Sequence, residues 1–348
     1  MPSPSATPFP EDDGEMDATP DLRSMIIGFR TSAAVSTAAE LGLSDELASG
    51  SMSLAQLAAR VGADEDTLSR LMRMLVALGL YAVSTEGTYT ATSLGAGLRT
   101  DAPGSLRPLA RTLQDPATWA AWGHLTHSVR TGDTAFSALH GEDVWTYRAS
   151  HARANAVFND TMAALTSRVA TAVASSYDFT GLTSVVDVGG GLGALLEAVL
   201  AGHEHLDGTV FDLPQALPAG PPSTASESVA SRWSVAAGSF FDAVPPADAY
   251  LLKKVLHDWS DTKCVEILRT CRRSLAPGGV VLVVELVLDR PGHELESALS
   301  DLNMLVLPGG RERTAAEFDA LFVAAGFEPA RLVETDADVV ILEARTDR

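Results

Sequence analysis

From Leu182 onward, short runs rich in β-branched residues alternate with helical segments, and this alternation limits the possible folds more than any other feature of the chain. The main runs are Ser184 to Val188, Gly208 to Phe211, Trp233 to Ala236, Ala249 to Leu252 and Val280 to Leu288. Such alternation predicts an α/β fold with a doubly wound, mainly parallel, Rossmann-like sheet and helices on both faces. In such a sheet, ligands bind at the carboxyl ends of the strands.

The two closing runs, Arg331 to Glu334 and Val339 to Ala344, are joined by the short segment Thr335 to Asp338. A connection this short can join antiparallel strands but not parallel ones. We therefore expect a hairpin at the edge of the sheet.

The chain before this region is largely helical. Apolar residues recur at helical spacing from Leu22 to about Gly79, and Gly79 is placed to end the last of these helices. The stretch Tyr81 to Thr92 then predicts a small hairpin, so the segment resembles a winged-helix module. Its candidate recognition helix opens with three acidic residues, Asp64 to Asp66, which favours packing and dimerisation over binding to DNA.

Charge and composition exclude several classes of partner. The formal net charge is −20, which would repel nucleic acid and anionic lipid. No apolar run is long enough for a membrane span, and Met1 to Pro20 lacks the pattern of a signal peptide, so we expect a disordered tail there. Cys264 and Cys271 are the only cysteines, which we interpret as buried free thiols of a cytoplasmic protein.

These patterns divide the chain into four parts. We expect the tail over residues 1–20 and the helical, winged-helix-like dimerisation domain over 21–101. Connecting helices rich in Trp and Tyr follow over 102–180, and these aromatic side chains either pack in the core or line a pocket. The catalytic domain then spans 181–348.

A glycine-rich turn follows the first strand of the predicted sheet, in the sequence DVGGGLG from Asp187 to Gly193. Glycine lets the backbone approach a ligand closely where a Cβ atom would clash. The next strand ends at Asp212, whose carboxylate can accept hydrogen bonds from both hydroxyls of a ribose. This pair of features fits NAD and S-adenosylmethionine equally, so both cofactors stay open at this point.

Two later segments carry groups that could move a proton. His257 lies where another predicted strand ends and a helix begins, at the same edge of the sheet as the glycine turn. Glu285 interrupts an apolar run and is costly to bury unless it has a partner such as an imidazole. Glu312 is a further carboxylate candidate for this site, or a solvated loop charge. No group of residues has a convincing metal-ligand pattern, so we predict no metal.

Taken together, the motifs of the catalytic half resemble the plant-type small-molecule O-methyltransferase family, in its bacterial natural-product branch. The segments that carry the resemblance are DVGGGLGALLEAVL, FDLP, GSFFDAVP, LLKKVLHDWSD, VVELVL and GGRERTAAEFDALFVAAGF. They stand in family order, and the helical N-terminal part resembles the family's dimerisation domain. The resemblance implies a homodimer that uses S-adenosylmethionine.

The resemblance also implies roles for single residues. His257 would be the general base, flanked by Glu285 and Glu312. The cofactor would be held by Asp187, Gly189, Gly191, Asp212, Leu213, Ser239, Phe240 and Lys253. The acceptor pocket would be lined by Phe158, Asn159, Met162, Asp258 and Met304. Ser239 departs from the family pattern, which more often has Asp at that position.

The function implied is transfer of a methyl group to a phenolic hydroxyl of a small-molecule natural product, with general-base assistance. Two alternatives concern the chemistry: an NAD-dependent oxidoreductase, favoured by the Gly-x-Gly-x-x-Ala spacing that ends at Ala194, and a relative that binds S-adenosylmethionine but performs hydroxylation or a similar step. A third alternative is a transcription regulator built on the winged-helix segment, which the acidic charge disfavours.

Overall fold

A computed structural model describes residues 22–346, so the predicted tail lies outside the described residues. The helices, α1 to α16 in chain order, are Leu22–Leu41, Leu43–Glu46, Leu54–Val61, Glu65–Ala77, Ser93–Ala96, Arg107–Thr112, Pro116–Gly123, Leu125–Thr131, Ala135–His140, Val144–Ser150, Ala152–Ser176, Ala194–Gly202, Glu227–Ala230, Asp261–Ser274, Glu294–Val306 and Ala315–Ala325. The strands, β1 to β10, are Met52–Ser53, Tyr81–Val83, Thr88–Ala91, Ser184–Val188, Asp207–Asp212, Trp233–Ala237, Ala247–Lys253, Leu275–Glu285, Arg331–Glu334 and Val340–Arg345. Short 3-10 turns occupy Leu47–Ser49 and Leu256–Asp258.

The larger sheet has seven strands in the order β6-β5-β4-β7-β8-β10-β9. Strands β4 to β8 pair in parallel, whereas β10 pairs antiparallel with both β8 and β9. The predicted mainly parallel sheet and its edge hairpin are therefore confirmed.

Both faces of this sheet are covered by helices. Side chains alternate along each strand, so that Val186 packs with the cluster that includes Ile267 of α14 and Phe318 of α16. Val185, one residue earlier, packs instead with Val173 of α11 and residues of α12. Strands buried on both faces are typical of parallel sheets, and this burial explains the continuous apolar runs in the sequence.

Strand β8 differs from its predicted bounds, Val280 to Leu288. It begins earlier, at Leu275, although the Pro277-Gly278-Gly279 segment has low strand propensity, because Leu275 still pairs with Ala247 of β7. It ends earlier, at Glu285, and Val287 makes only an isolated bridge to Arg313. The chain thus leaves the sheet at Glu285 and brings this carboxylate to the edge where ligands bind.

The N-terminal part has its own core and a small antiparallel sheet in the order β1-β3-β2. The predicted hairpin is present as β2 and β3, and Gly79, at a φ of +77°, follows the end of α4. Asp64 accepts a hydrogen bond from the Thr67 N–H, so the acidic start of α4 caps this helix. Cys264 and Cys271 are both buried and free. Of the helices over residues 22–346, none is both long and apolar enough to cross a membrane.

Candidate active site

The candidate site lies along one edge of the sheet, where five parallel strands end. Their last residues are Val188, Asp212, Ala237, Lys253 and Glu285. Strand β4 lies between β5 and β7, which is the point where the strand order reverses and where doubly wound sheets bind ligands.

The glycine turn after β4 is held against the end of β5. The N–H of Gly189 donates to the carbonyl of Phe211 at 2.8 Å, and the N–H of Gly191 donates to Asp212 Oδ2 at 2.9 Å. A Cβ atom on Gly190 would lie 2.7 Å from the Asp187 carboxyl group, so no larger residue fits there without a shift. The turn and the two carboxylates therefore form one compact unit.

Both carboxylates of this unit retain acceptor capacity for a ligand. Asp212 accepts one hydrogen bond on each oxygen, from Gly191 and from the N–H of Leu213, which leaves a lone pair on each oxygen. Asp187 is buried, and its Oδ2 has no hydrogen-bond partner among residues 22–346. Burial raises the pKa of Asp187 to about 7. Such an unpaired buried oxygen fits a cationic or hydrogen-donating ligand.

Other cofactor candidates surround this unit with differing contacts. Lys253 donates from Nζ to Thr166 Oγ1 of α11 at 2.8 Å, and burial, aided by the neighbouring Lys254, lowers the pKa of Lys253 to about 8. The hydroxyl of Ser239 accepts a hydrogen bond from the N–H of Phe241, so it stabilises its own turn. Leu213 is exposed at this edge.

His257 lies in the 3-10 turn after β7, and its backbone is fixed by the loop before α16. The carbonyl of His257 accepts a hydrogen bond from the N–H of Arg311 at 2.8 Å. A Cβ atom on Gly310 would lie only 1.9 Å from that carbonyl oxygen, so only glycine allows this approach. Arg313, which is buried, donates to the carbonyls of Leu256 and Trp259 on either side of the turn.

The His257 ring is held by Glu312 rather than by Glu285. Nδ1 of His257 lies 2.8 Å from Glu312 Oε1, whereas the distance from Nδ1 to Glu285 Oε2 is 3.7 Å. An ionised carboxylate can only accept, so Nδ1 carries the proton. Nε2, which makes no hydrogen bond within residues 22–346, can then act as the base. The imidazole expected as a partner of Glu285 therefore binds Glu312 instead, and Glu285 accepts a long hydrogen bond, 3.4 Å, from the His257 N–H.

Glu312 is at the centre of this network and is fully buried, so it is not the solvated loop charge weighed as an alternative. Its Oε1 also accepts from Ser300 Oγ at 2.6 Å and lies 3.3 Å from Lys254 Nζ. Its backbone N–H donates to Asp301 Oδ1 at 2.9 Å. Nothing in the sequence pattern marked Ser300 or Lys254 as members of the site; only the fold brings them to Glu312.

The charges of this network set the protonation of its members. Burial favours the neutral form of His257, but Glu285, Asp258 and Glu312 outweigh it and raise the pKa of the ring. Burial also opposes ionisation of Glu312, but its contacts with His257, Lys254 and Ser300 hold its pKa well below the usual range. Burial raises the pKa of Glu285. Glu312 is thus the permanent anion of the site.

His257, Glu285 and Glu312 lie close enough together to hold a metal ion, with one ligand atom from each within 4.8 Å of the others. Lys254 Nζ, however, lies 3.3 Å from Glu312 and 3.8 Å from Glu285. This ammonium group already neutralises the charge that a divalent cation would neutralise. The absence of a metal therefore stays a prediction, supported by the position of Lys254.

Aromatic rings line the side of the site that faces α10 and α11. Trp259 contacts Phe240 edge-on and stacks with Trp145, with ring centroids 6.0 and 6.4 Å apart, and Trp145 contacts Phe158 edge-on at 5.7 Å. Asp258 Oδ1 lies 3.6 Å from His257 Nε2.

The other three residues predicted to line the acceptor pocket lie on α11 and α15. Asn159 and Met162 are half-buried on α11, and the Asn159 amide makes no hydrogen bond within residues 22–346. Met304 is buried on α15. The part of these three side chains in the acceptor pocket stays a prediction.

Comparison with known proteins finds two matched regions in the chain. A family model for the O-methyltransferase domain matches residues 122–328, and one for the O-methyltransferase dimerisation domain matches residues 24–101. The phenazine O-methyltransferase PhzM of Lysobacter antibioticus is 38% identical over 325 residues, 93% of this chain and 95% of that protein. The 2,7-dihydroxy-5-methyl-1-naphthoate 7-O-methyltransferase of Streptomyces carzinostaticus is 40% identical over 303 residues, 85% of this chain and 89% of that protein.

A solved structure agrees over nearly the whole length. Human N-acetylserotonin methyltransferase in complex with S-adenosylmethionine superposes with a TM-score of 0.87 at 31% identity and covers 97% of this chain and 100% of that one. The matches give no support to an NAD-dependent oxidoreductase or to a hydroxylase. The chain therefore belongs to the O-methyltransferase family, in its bacterial natural-product branch.

Proposed function

We propose that this protein is an S-adenosylmethionine-dependent O-methyltransferase that acts on a phenolic hydroxyl of a small-molecule natural product. The observation that carries the proposal is the arrangement of His257 on the same sheet edge as the glycine turn. Its Nδ1 is bound to the buried anion Glu312, and its Nε2 makes no hydrogen bond within the described part of the chain. The phenazine and naphthoate named for two relatives are flat aromatic systems, and the aromatic side of this site suits such an acceptor.

The residues of the edge fit the cofactor. Asp212 has a free lone pair on each oxygen for the two ribose hydroxyls, and the unpaired Oδ2 of Asp187 suits the methionine ammonium group. Phe240 lies beside the glycine turn, within 3.9 Å of where a Cβ of Gly189 would stand, and suits an adenine ring. When bound, S-adenosylmethionine supplies a methyl group that its sulfonium already activates.

His257 removes the proton of the acceptor. A phenol with a pKa near 10 is ionised to about one part in a thousand at pH 7, a deficit of about 4 kcal/mol. Proton transfer from the hydroxyl to Nε2 offsets much of this deficit, and general-base assistance is typically worth about a hundred- to ten-thousandfold in rate. Glu312 then stabilises the imidazolium through the Nδ1 hydrogen bond, while the surrounding rings hold the acceptor oxygen in line for transfer.

Three further proposals concern the protein as a whole. The match to the family's dimerisation domain supports a homodimer, and the net charge of −20 disfavours a nucleic-acid or anionic-membrane partner. The free cysteines on α14 support a cytoplasmic protein. The domain division at residues 21–101, 102–180 and 181–348 is the third proposal, and the change from α11 to the large sheet supports its last boundary.

Calorimetric titration tests the cofactor directly. We expect the purified protein to bind S-adenosylmethionine and S-adenosylhomocysteine but not NAD. Asp212→Ala should weaken both affinities about ten- to a hundredfold, because it removes charge-assisted hydrogen bonds to the ribose. Asp242→Ala, an exposed carboxylate after β6, is the matched control and should bind as the wild type does. Binding of NAD alone would overturn the proposal.

A further inference from the structure

Arg148 places a positive charge among the aromatic rings that line one side of the site. It lies on α10, and its guanidinium carbon is 3.6 Å from the centroid of the Phe158 ring and 5.1 Å from that of Trp145. Two aromatic faces stabilise a guanidinium, but they supply no charge to neutralise it.

Within the described residues, no carboxylate is in direct contact with this guanidinium. Within residues 22–346 its nitrogens make no hydrogen bond and no ion pair. The carboxylates of Asp258 and Asp115 attract it, but neither lies within 4 Å. Burial lowers the pKa of Arg148 to about 10, so it remains a cation at neutral pH. A half-buried cation with no carboxylate in contact is costly, and an anionic ligand would offset that cost.

The position of Arg148 connects it to the acceptor rather than to the cofactor. Trp145, one of its two ring partners, stacks on Trp259, which directly follows the turn that carries His257. Asp258, which attracts the guanidinium, has its Oδ1 3.6 Å from His257 Nε2. Phe240 of the cofactor set contacts Trp259 edge-on, but Asp187, the glycine turn and Asp212 stand at the ends of β4 and β5.

We propose that Arg148 binds a carboxylate of the acceptor, and hence that the acceptor is an aromatic hydroxy acid. This inference rests on the proposed function, because it assigns the substrate class of the same site. The planar guanidinium fork matches a carboxylate with two parallel hydrogen bonds. A single guanidinium balances one negative charge, whereas a phosphate monoester would need more donors than this pocket wall offers. The bound acid would be held at one end by Arg148 while its hydroxyl faces His257.

A merely structural Arg148, which only packs Trp145 against Phe158, makes a different prediction. Its loss would then weaken acid and neutral ligands alike, and any rescue would follow side-chain volume rather than charge. The test therefore compares each aromatic hydroxy acid with its own carboxamide, which has nearly the same shape but no charge.

The experiment measures binding by calorimetry in the presence of S-adenosylhomocysteine and turnover with S-adenosylmethionine. The ligands are 3-hydroxy-2-naphthoate and 4-hydroxybenzoate, each paired with its carboxamide. The proteins are the wild type, Arg148→Leu, Arg148→Lys and the control Arg130→Leu, which removes an exposed arginine of the nearby α8. Binding of S-adenosylhomocysteine by each variant checks that it is folded.

We expect at least one acid to bind the wild type more tightly than its carboxamide. Arg148→Leu should weaken that acid about ten- to a hundredfold and leave the carboxamide unchanged, with partial recovery in Arg148→Lys and no effect in Arg130→Leu. Equal affinity of every acid and its carboxamide for the wild type would overturn the inference, as would equal losses for both in Arg148→Leu. If the wild type methylates neutral phenols with no preference for acids, the inference about Arg148 is overturned but the proposed function stands. If the wild type does not bind S-adenosylhomocysteine, the proposed function itself is contradicted.

Discussion

The two halves of the catalytic edge of the sheet use different chemical groups. The half formed by β4 and β5 uses a glycine backbone and carboxylates that keep free acceptor positions for a ligand. The half formed by β7 and β8 uses charged side chains that neutralise one another: His257 is 7% exposed, and Glu285 and Glu312 are fully buried. The first half thus depends on backbone shape, and the second on charge balance. Substitutions in one half should therefore leave the property of the other half intact.

The substitution with the largest expected effect should change turnover, the property of the second half, without changing cofactor affinity, the property of the first. His257→Ala should lower turnover about a hundred- to ten-thousandfold, because it removes the general base, while the affinity for S-adenosylmethionine stays that of the wild type. Single-turnover rates and calorimetry measure the two properties. Unchanged turnover would eliminate His257 as the base, and a parallel loss of cofactor affinity would show that the halves are not separable.

A smaller effect should distinguish the two buried glutamates within the second half. Glu312→Gln removes the charge that holds His257 Nδ1 and should lower turnover about ten- to a hundredfold. Glu285→Gln removes a carboxylate 3.7 Å from the ring and should cost less than about tenfold, because the amide can still accept from the His257 N–H. Both variants should retain cofactor affinity. A larger loss in Glu285→Gln would reverse these assignments.

The smallest effect concerns pH rather than maximal rate. The base must be neutral, so turnover should rise with pH through a pKa above the ordinary 6.5 of histidine. Lys254 opposes protonation of His257, so Lys254→Met should raise the pKa of His257 and move the rising limb of the profile to higher pH. Turnover would fall near neutral pH and recover in alkaline buffer.

The control for this shift is Lys263→Met, which removes an exposed lysine paired with Glu266. Its pH profile should match that of the wild type. A shift of the Lys254→Met profile to lower pH would contradict the proposed charge balance.

The same contrast explains how far the sequence could predict the structure. The cofactor half follows from local pattern: a glycine turn after one apolar strand and an acidic residue at the end of the next fall at the same edge by the rules of parallel sheets. The sheet, its edge hairpin and the N-terminal hairpin were predicted by the same kind of reasoning. The early start of β8 was not, because its Pro-Gly-Gly segment resembles a turn.

The partners of His257 could not be found this way. Glu312 and Ser300 come from segments distant in sequence, and no periodicity shows that they meet at the ring. The sequence favours Glu285 as the partner of an imidazole because a buried carboxylate needs one, yet the loop before α16 places Glu312 against the ring. The need for glycine at position 310 is likewise visible only from its approach to the His257 carbonyl.

The most direct test of base-assisted methyl transfer uses S-adenosylmethionine labelled with a trideuteromethyl group. Purified protein is incubated with this donor and a panel of phenolic acceptors, and the products are analysed by mass spectrometry and NMR. We predict that the wild type transfers one trideuteromethyl group to a phenolic oxygen and that His257→Ala, with normal cofactor affinity, transfers almost none. Binding of the donor with no labelled product from any acceptor, or equal product from both proteins, would contradict the assignment.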